Sequence, residues 1–191
     1  MAWNPVINDL IEVGYSIKNN LFLPTDLESM HDELARLYEE DNFKKASTAI
    51  GVQPSVRGDM ILWLNEENSN PFKDYLAALE DLRQTLNQEL YLGANATESH
   101  ATMYPVNKHY DKHVDNFKGK NSRKLSVILY LNKDWKEQDG GELVIYNTDN
   151  ETIASVLPEI GTFVVFLSEM FPHEVKTCFR ERASLTSWLR R

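Results

Sequence analysis

Two histidine–aspartate pairs, each with one residue between its members, stand close together in the middle of the chain. They are His109 with Asp111 and His113 with Asp115. Residues two apart on a β-strand point to the same side, so either pair can bind a metal ion from one direction. A third ligand must come from elsewhere, and His173, which follows an apolar run, is the natural candidate. Two histidines and one carboxylate on one face of a metal are typical of non-haem Fe(II) sites that react with oxygen. The alternative is two solvated surface motifs in a charged loop.

A second pattern that could do chemistry lies near the C-terminus. Arg182, Ser184, Thr186 and Trp188 alternate with small or apolar residues, so a strand here would place all four side chains on one face. Such a face is costly as core packing, because every buried polar group needs a hydrogen-bond partner. It suits a pocket wall that binds a carboxylate, since arginine can donate two parallel hydrogen bonds to that group. An arginine on the protein surface is the alternative.

The elements that must position these residues follow from the spacing of apolar side chains. Helical spacing predicts three helices in the N-terminal half, the first from Asn4 to Gly14, the second beginning with a capping box at Thr25, and the third running from Asn70 to Gly93. Beyond these helices, short strand-like runs alternate with turn residues. The predicted strands are Ser99–Val106, Lys124–Asn132, Glu142–Tyr146, Thr152–Leu157, Thr162–Leu167 and Ser184–Arg190. This order predicts an α+β fold, mainly β, in which helices brace a sandwich or jelly roll.

Size and composition favour one compact, cytoplasmic domain. The chain has 191 residues, of which 42% are hydrophobic. Cys178 is the only cysteine, so no internal disulfide can form and a reducing compartment is expected. No secretory signal is visible, and no apolar run reaches the ~20 residues that span a bilayer, so we expect no membrane partner. The net charge of −9 makes nucleic acid a poor partner, because an acidic surface repels phosphates.

One long segment, Asn42–Val56, has neither helical nor alternating periodicity and contains Gly51 and Pro54. Loops of this length are uncommon and often act as lids or binding loops, although simple disorder is the alternative. Arg57 and Asp59 follow at its base. We expect these two residues either to pair with each other or to contact a substrate.

Taken together, the motifs resemble the prolyl 4-hydroxylase family of 2-oxoglutarate oxygenases, which includes the oxygen-sensing prolyl hydroxylases of animals and their bacterial relatives. The resemblance extends in order over residues 57–190. The motifs are Arg57 to Trp63, His113-Val114-Asp115-Asn116, Tyr130 to Trp135, Gly140-Gly141-Glu142-Leu143, Pro172-His173-Glu174-Val175 and Arg182 to Trp188. Collagen-type members have a lysine in the role of Arg182. The arginine therefore makes this chain more similar to the oxygen-sensor branch than to the collagen-type branch.

The resemblance implies a double-stranded β-helix, which is a cupin-like jelly roll braced by N-terminal helices. The size of the chain predicts a single domain over residues 1–191. Helical support is expected over residues 1–95 and the catalytic jelly roll over about 96–191.

The resemblance also implies which residues bind the metal and which bind the cosubstrate. It selects His113, Asp115 and His173 as the iron ligands, and it leaves His109 and Asp111 without an assigned role. It implies that two residues bind the distal carboxylate of 2-oxoglutarate and that several others line the same pocket. The carboxylate-binding residues are Arg182 and Tyr130, and the pocket-lining residues are Tyr104, Leu143, Val175, Thr186 and Trp188. For the leucine and the valine, core packing is an alternative explanation.

The activity that the resemblance implies is that of an Fe(II)- and 2-oxoglutarate-dependent dioxygenase. It would use O2 to hydroxylate a prolyl residue in a protein, release succinate and CO2, and bind ascorbate as an additional cofactor. The long loop would fold over a peptide, with Arg57 and Asp59 beside it. Because bacterial family members are thought to modify a translation elongation factor, such a factor is the first candidate partner. The alternatives are hydroxylation of a free amino acid or small metabolite and, from another class, a non-catalytic metal-dependent binding or sensing module.

Overall fold

The computed structural model describes residues 3–47, 51–116 and 122–191. In these ranges three α-helices precede most of the strands. They are α1 (Asn4–Glu12), α2 (Pro24–Glu39) and α3 (Lys73–Leu90), with short 3-10 helices at Asn70–Phe72 and Glu137–Asp139. No helix in this part of the chain is both long enough and apolar enough to cross a bilayer.

Within the described ranges, eleven strands form two antiparallel sheets that make up a jelly roll. The strands are β1 (Tyr15–Lys18), β2 (Lys44–Lys45), β3 (Met60–Trp63), β4 (Ala96–Tyr104), β5 (Tyr110–His113), β6 (Arg123–Tyr130), β7 (Leu143–Tyr146), β8 (Thr152–Val156), β9 (Phe163–Leu167), β10 (His173–Val175) and β11 (Arg182–Arg190). The major sheet has the order β1-β9-β6-β11-β4-β3-β2, and the minor sheet has the order β5-β10-β7-β8. This architecture confirms the predicted mainly β jelly roll with N-terminal helices.

The helices cover the outer face of the major sheet. Their apolar stripes join one buried cluster with every second residue of the central strands. On β6 these residues are Leu125, Val127 and Leu129, which alternate with side chains that face the other way. The Trp3 ring packs 5.9 Å from that of Phe163 on β9 and so attaches α1 to the sheet. The helices therefore support the sheet from the side away from the predicted site.

The inner face of the major sheet packs against the minor sheet. Ile128 and Tyr130 of β6 and Phe166 of β9 share a second buried cluster with Ile145 of β7 and Val175 of β10. Because side chains alternate along each strand, one residue of β6 or β11 belongs to the helical core and the next belongs to the space between the sheets. The predicted site residues of β11 lie on this inner side.

Several predicted boundaries differ from the structure. The capping box at Thr25 is wrong: α2 begins at Pro24, its N-cap is Leu23, and Thr25 Oγ1 contacts Asp26 Oδ1 instead of a backbone N–H group. Proline fixes a helical φ without needing a donor, so the helix starts one residue earlier than predicted. Five short strands were not predicted from the sequence, because none of them shows a clear alternation of apolar and polar residues: they are β1, β2, β3, β5 and β10.

The first 95 residues contribute strands as well as helices. In the segment 42–56, Lys44 and Lys45 form β2 and pair with β3, which extends the major sheet. Residues 48–50 of this predicted lid lie outside the described residues. The role of the segment as a lid and the division of the domain at residue 95 stay predictions.

Candidate active site

Three side chains from the predicted metal motif converge between the sheets. In the described part of the chain, His113, Asp115 and His173 are the one group of three or more histidine, cysteine or acidic residues whose ligand atoms lie within 4.8 Å of one another. His113 on β5 pairs directly with His173 on β10, so the antiparallel register places the two imidazoles side by side. Asp115 Oδ1 lies 3.5 Å from His113 Nε2, and Asp115 Oδ2 lies 3.7 Å from His173 Nε2.

Backbone carbonyls select the ring nitrogen that each histidine presents. His113 Nδ1 donates to the Asp111 carbonyl at 2.8 Å, and His173 Nδ1 donates to the Phe171 carbonyl at 3.0 Å. In a neutral imidazole this leaves the lone pair on Nε2, which is the nitrogen that faces Asp115. Burial lowers the pKa of His173 to about 4, so this ring is neutral at pH 7. His173 is therefore in the form that binds a metal, and each of the two rings directs Nε2 toward Asp115.

The Asp115 side chain is only 9% exposed, and its carboxylate is held in the ionised form. Burial alone raises the pKa of this group, whereas His173 and His113, when protonated, and the Ser126 hydroxyl lower the pKa well below its usual range. Ser126 Oγ donates to Asp115 Oδ2 at 2.6 Å, and Trp188 Nε1 donates to the same oxygen at 2.9 Å. Two neutral imidazoles and one carboxylate are the donor set that non-haem Fe(II) prefers, so the triad fits an iron site.

The other histidine–aspartate pair lies apart from this cluster. His109 Nε2 is 3.2 Å from Asp111 Oδ1, and the two side chains are 37% and 55% exposed. They face each other at the surface and form no group with His173. The pair that the resemblance selected, His113 with Asp115, is therefore the one that lies close to His173. Spacing alone could not distinguish it from His109 with Asp111.

A cavity of about 590 Å³ contains the triad and most of the predicted pocket residues. Its volume lies within the ordinary range of ligand pockets. The predicted site residues that line it are Arg57, Asp59, Tyr104, His113, Asp115, Leu143, His173, Val175, Arg182, Thr186 and Trp188. Tyr130 is fully buried and is not among the lining residues, but its ring lies beside Arg182, with the ring centre 4.8 Å from the guanidinium carbon.

Arg182 is a buried cation without an acidic partner in the described residues. The residue is 2% exposed, and no carboxylate of the described residues lies within ion-pair distance of its guanidinium. Nε donates to the Gly141 carbonyl at 2.8 Å, and the guanidinium carbon lies 4.8 Å from the Tyr130 ring centre and 5.1 Å from that of Tyr104. Gly141 has φ +71°, and a Cβ there would lie only 3.1 Å from Arg182 Cδ. A buried charge normally has a counter-ion, so this site fits an anionic ligand.

The Tyr130 hydroxyl is a further unsatisfied group beside that guanidinium. It is buried and has no hydrogen-bond partner among the described residues. Burial raises the pKa of Tyr130, and the nearby Arg182 lowers it to a lesser extent, so the hydroxyl keeps its proton at neutral pH. The Tyr130 hydroxyl thus lacks an acceptor, and the adjacent Arg182 guanidinium lacks an anion. A single carboxylate group of a ligand would satisfy both.

Arg57 and Asp59 pair with each other at the cavity. Arg57 Nε and Nη2 donate to the two Asp59 oxygens at 2.8 and 2.6 Å. The guanidinium lies 4.4 Å above the Tyr110 ring, which stacks on the His113 ring at 3.6 Å. The two residues therefore support a metal ligand through a stack of rings, and their predicted contact with substrate stays a prediction.

Comparisons with known proteins agree with this geometry. The sequence profile of the 2OG-Fe(II) oxygenase superfamily matches residues 99–190. A Pseudomonas putida prolyl-4-hydroxylase crystal structure superimposes with a TM-score of 0.93 at 34% identity, and the match covers 100% of both chains. The chain belongs to the 2OG-Fe(II) oxygenase superfamily. This family uses Fe(II), 2-oxoglutarate and O2, and the triad and Arg182 lie within the matched region.

Animal relatives of this oxygenase are more distant. Egl nine homolog 1 from Homo sapiens is 29% identical over 171 residues, which are 84% of this chain and 40% of the human protein. The chain thus spans about 40% of the length of that curated relative. The structure of a Trichoplax adhaerens prolyl hydroxylase in complex with a hypoxia inducible factor peptide superimposes with a TM-score of 0.90 at 27% identity, covering 98% of this chain and 88% of the other.

Three residues of the oxygenase site were missed by sequence analysis. Ser126 contacts the metal ligand Asp115, and Arg123 lies 3.5 Å above the Trp188 ring. His100 packs between the Trp63 and Trp188 rings, with centroid distances of 5.0 and 5.2 Å. A serine between Leu125 and Val127 interrupts an apolar strand and could have indicated a polar contact between the sheets, but its partner is far away in sequence.

Proposed function

We propose that this chain is an Fe(II)- and 2-oxoglutarate-dependent dioxygenase that hydroxylates a prolyl residue in a polypeptide and releases succinate and CO2. The observation that carries the proposal is an Fe(II)-type triad and a buried guanidinium without an acidic partner in one cavity. When bound, Fe(II) and 2-oxoglutarate supply the activation of O2 and the oxidation of the substrate carbon.

In this proposal the residues of the chain position the cosubstrate and exclude water. His113, Asp115 and His173 hold the metal. Arg182 and the protonated hydroxyl of Tyr130 bind the distal carboxylate of 2-oxoglutarate, so that its other end faces the triad. Apolar side chains line other parts of the same cavity, and they limit the access of water to the reacting groups. They are Ile128, Leu143 and Val175.

The rest of the cavity favours an uncharged substrate group. Outside the triad and Arg182, each charged side chain that lines the cavity in the described ranges has a polar partner. The pairs are Arg57 with Asp59, Arg123 with Glu98, Asp111 with His109, and Lys112 with the Asn150 side-chain amide. A free amino acid would bring an ammonium and a carboxylate, and the lining residues Asp111 and Lys112 are exposed, so neither offers a buried counter-charge to them. A prolyl residue within a chain brings neither, and its apolar ring can pack on the aromatic wall of Trp63, His100 and Tyr110.

Turnover with defined substrates tests the proposal. The purified protein is incubated with Fe(II), 2-oxoglutarate, ascorbate and O2, together with a proline-containing peptide or with free proline. Succinate release is measured, and mass spectrometry detects the addition of one oxygen atom. We expect both signals with the peptide and neither when Asp115→Ala replaces the native protein. Turnover of free proline but of no peptide would overturn the polypeptide assignment and favour a small-metabolite hydroxylase.

For the partner, we propose a cytoplasmic translation elongation factor as the first candidate. Its support is the resemblance to bacterial family members and the cavity described above, which favours an uncharged prolyl group. Mass spectrometry of proteins from cells with and without this gene identifies the modified protein. A gene-dependent oxygen addition on a different protein would replace this candidate without affecting the proposed chemistry.

A further inference from the structure

The inner oxygen of Asp115 takes part in a hydrogen-bond chain that reaches across the major sheet. Ser126 on β6 and Trp188 on β11 both bond to Asp115 Oδ2, at 2.6 and 2.9 Å. Ser126 Oγ lies in addition 2.9 Å from the hydroxyl of Ser168, which follows β9. Both serines are 0% exposed. None of these hydrogen bonds uses Asp115 Oδ1, which lies 3.5 Å from His113 Nε2.

The direction of each hydrogen bond follows from counting protons. An ionised carboxylate only accepts, so Ser126 must give its single hydroxyl proton to Asp115. Ser126 can then only accept from Ser168, which must be the donor of that bond. Trp188 has an indole N–H group, which only donates. The chain therefore runs in one direction, from Ser168 to Ser126 to Asp115, with Trp188 as a second donor to the same oxygen.

We propose that Ser126 and Trp188, supported by Ser168, form a clamp that holds Asp115 as a one-oxygen metal ligand. This inference rests on the proposed function, because the clamp matters only if the triad binds a metal. Two donors occupy Oδ2 and prevent the carboxylate from rotating, so Oδ1 is left to face the metal. Ser126 and Trp188 are positioning residues in this scheme, since they act through Asp115.

A purely structural role for the two serines is the competing explanation. Buried hydroxyls need partners, and Ser126 and Ser168 could simply satisfy each other. That explanation does not account for Trp188, whose indole N–H is directed to the same carboxylate oxygen from a different strand. It also predicts that losing Ser126 lowers stability without changing metal binding.

The chain contains a matched control on the opposite face of the sheet. Ser187 on β11 is also 0% exposed and is hydrogen bonded to Tyr75 at 2.9 Å and to Ser99 at 2.7 Å. It belongs to the helical side, away from the triad. Ser187→Ala therefore removes a buried, hydrogen-bonded serine hydroxyl from the same sheet and leaves Asp115 untouched.

The experiment measures metal binding without turnover. The full chain and its Ser126→Ala, Trp188→Phe and Ser187→Ala variants are titrated anaerobically with Co(II), and both the dissociation constant and the visible absorption of the bound Co(II) are recorded. Loss of an outer-shell partner of a metal ligand typically costs about 10- to 100-fold in metal affinity. We expect a loss of this size and an altered spectrum for Ser126→Ala and Trp188→Phe, and affinity within about twofold of the native protein for Ser187→Ala.

Each outcome separates the clamp from the proposed function. If the native chain binds Co(II) and both clamp variants bind it equally well with the same spectrum, the clamp is refuted and the proposed function stands. If the native chain binds no Co(II), the proposed function itself fails. If Ser126→Ala does not fold, Trp188→Phe still decides, because it removes the second donor and retains an aromatic ring. Equal loss in Ser187→Ala would show that any buried serine matters and would also refute the clamp.

Discussion

Replacing Arg182 with alanine removes the one buried cation that the described residues leave without an acidic partner. The structure suggests the size of the effect, because the guanidinium is 2% exposed and lies beside an unsatisfied tyrosine hydroxyl. Removing one partner from a buried, hydrogen-bonded charge pair costs about 2–5 kcal/mol. At 1.4 kcal/mol for each factor of ten, this corresponds to a loss of roughly 30-fold to 4,000-fold in affinity for 2-oxoglutarate.

Isothermal titration with 2-oxoglutarate, performed anaerobically on the metal-loaded protein, measures this affinity directly. Co(II) affinity is determined in parallel and is expected to stay within about threefold, because Arg182 contacts none of the three ligands. Arg182→Lys keeps the charge but loses the two-pronged geometry, so we expect a smaller loss than for alanine. Arg180→Ala is the control, since this exposed arginine packs over Trp135, 5.3 Å from its ring centre.

The result that would refute this reasoning is an Arg182→Ala protein that binds 2-oxoglutarate within threefold of the native protein. The anion-binding assignment would then be wrong even if the metal site were intact. A simultaneous loss of Co(II) binding would instead indicate that the variant had lost its structure. We expect it to fold, because the native guanidinium is desolvated without a counter-charge and its removal relieves that cost.

Three further predictions address the metal ligand, the ring stack and the core. Asp115→Ala should abolish Co(II) binding, whereas Asp111→Ala should retain it; equal loss in both would remove the distinction between the two histidine–aspartate pairs. Asp59→Asn should lower the free energy of unfolding, measured by urea denaturation, by about 2–3 kcal/mol, because it leaves Arg57, which is only 15% exposed, without its partner. An unchanged midpoint of the urea transition would contradict this prediction. Leu86→Ala, in the 0% exposed core, should cost about 2–5 kcal/mol, and Ile11→Ala, at an exposed position, less than about 0.5 kcal/mol; similar losses would show that the burial assigned to α3 is wrong.

The pattern of polar residues on β11 was predictable from the sequence because it depends only on alternation. Arg182, Ser184, Thr186 and Trp188 fall on one face in any strand, and the structure places that face toward the cavity. What each residue contacts was not predictable in the same way. Trp188 was expected only to line a pocket, but it donates to Asp115, which lies 73 positions earlier in the chain. A contact at that separation depends on how two sheets pack and leaves no local signal.

The elements show the same division between local and distant information. The long helices and β6, β9 and β11 were predicted because apolar residues recur over many positions. β5 and β10 were missed although they carry two of the metal ligands, since four and three residues are too few to show a period. The metal motif was recognised from residue types and order, and the strands that hold it were not.

The geometry of Asp115 connects the two sheets of the jelly roll. His113 and His173 come from neighbouring strands of the minor sheet, and their register alone places the two imidazoles together. The carboxylate between them is held instead by Ser126 and Trp188, which lie on central strands of the major sheet. The distance between the imidazoles and the carboxylate is therefore set by sheet-to-sheet packing, and the side chains that fill this space matter for the site although they touch no ligand of it.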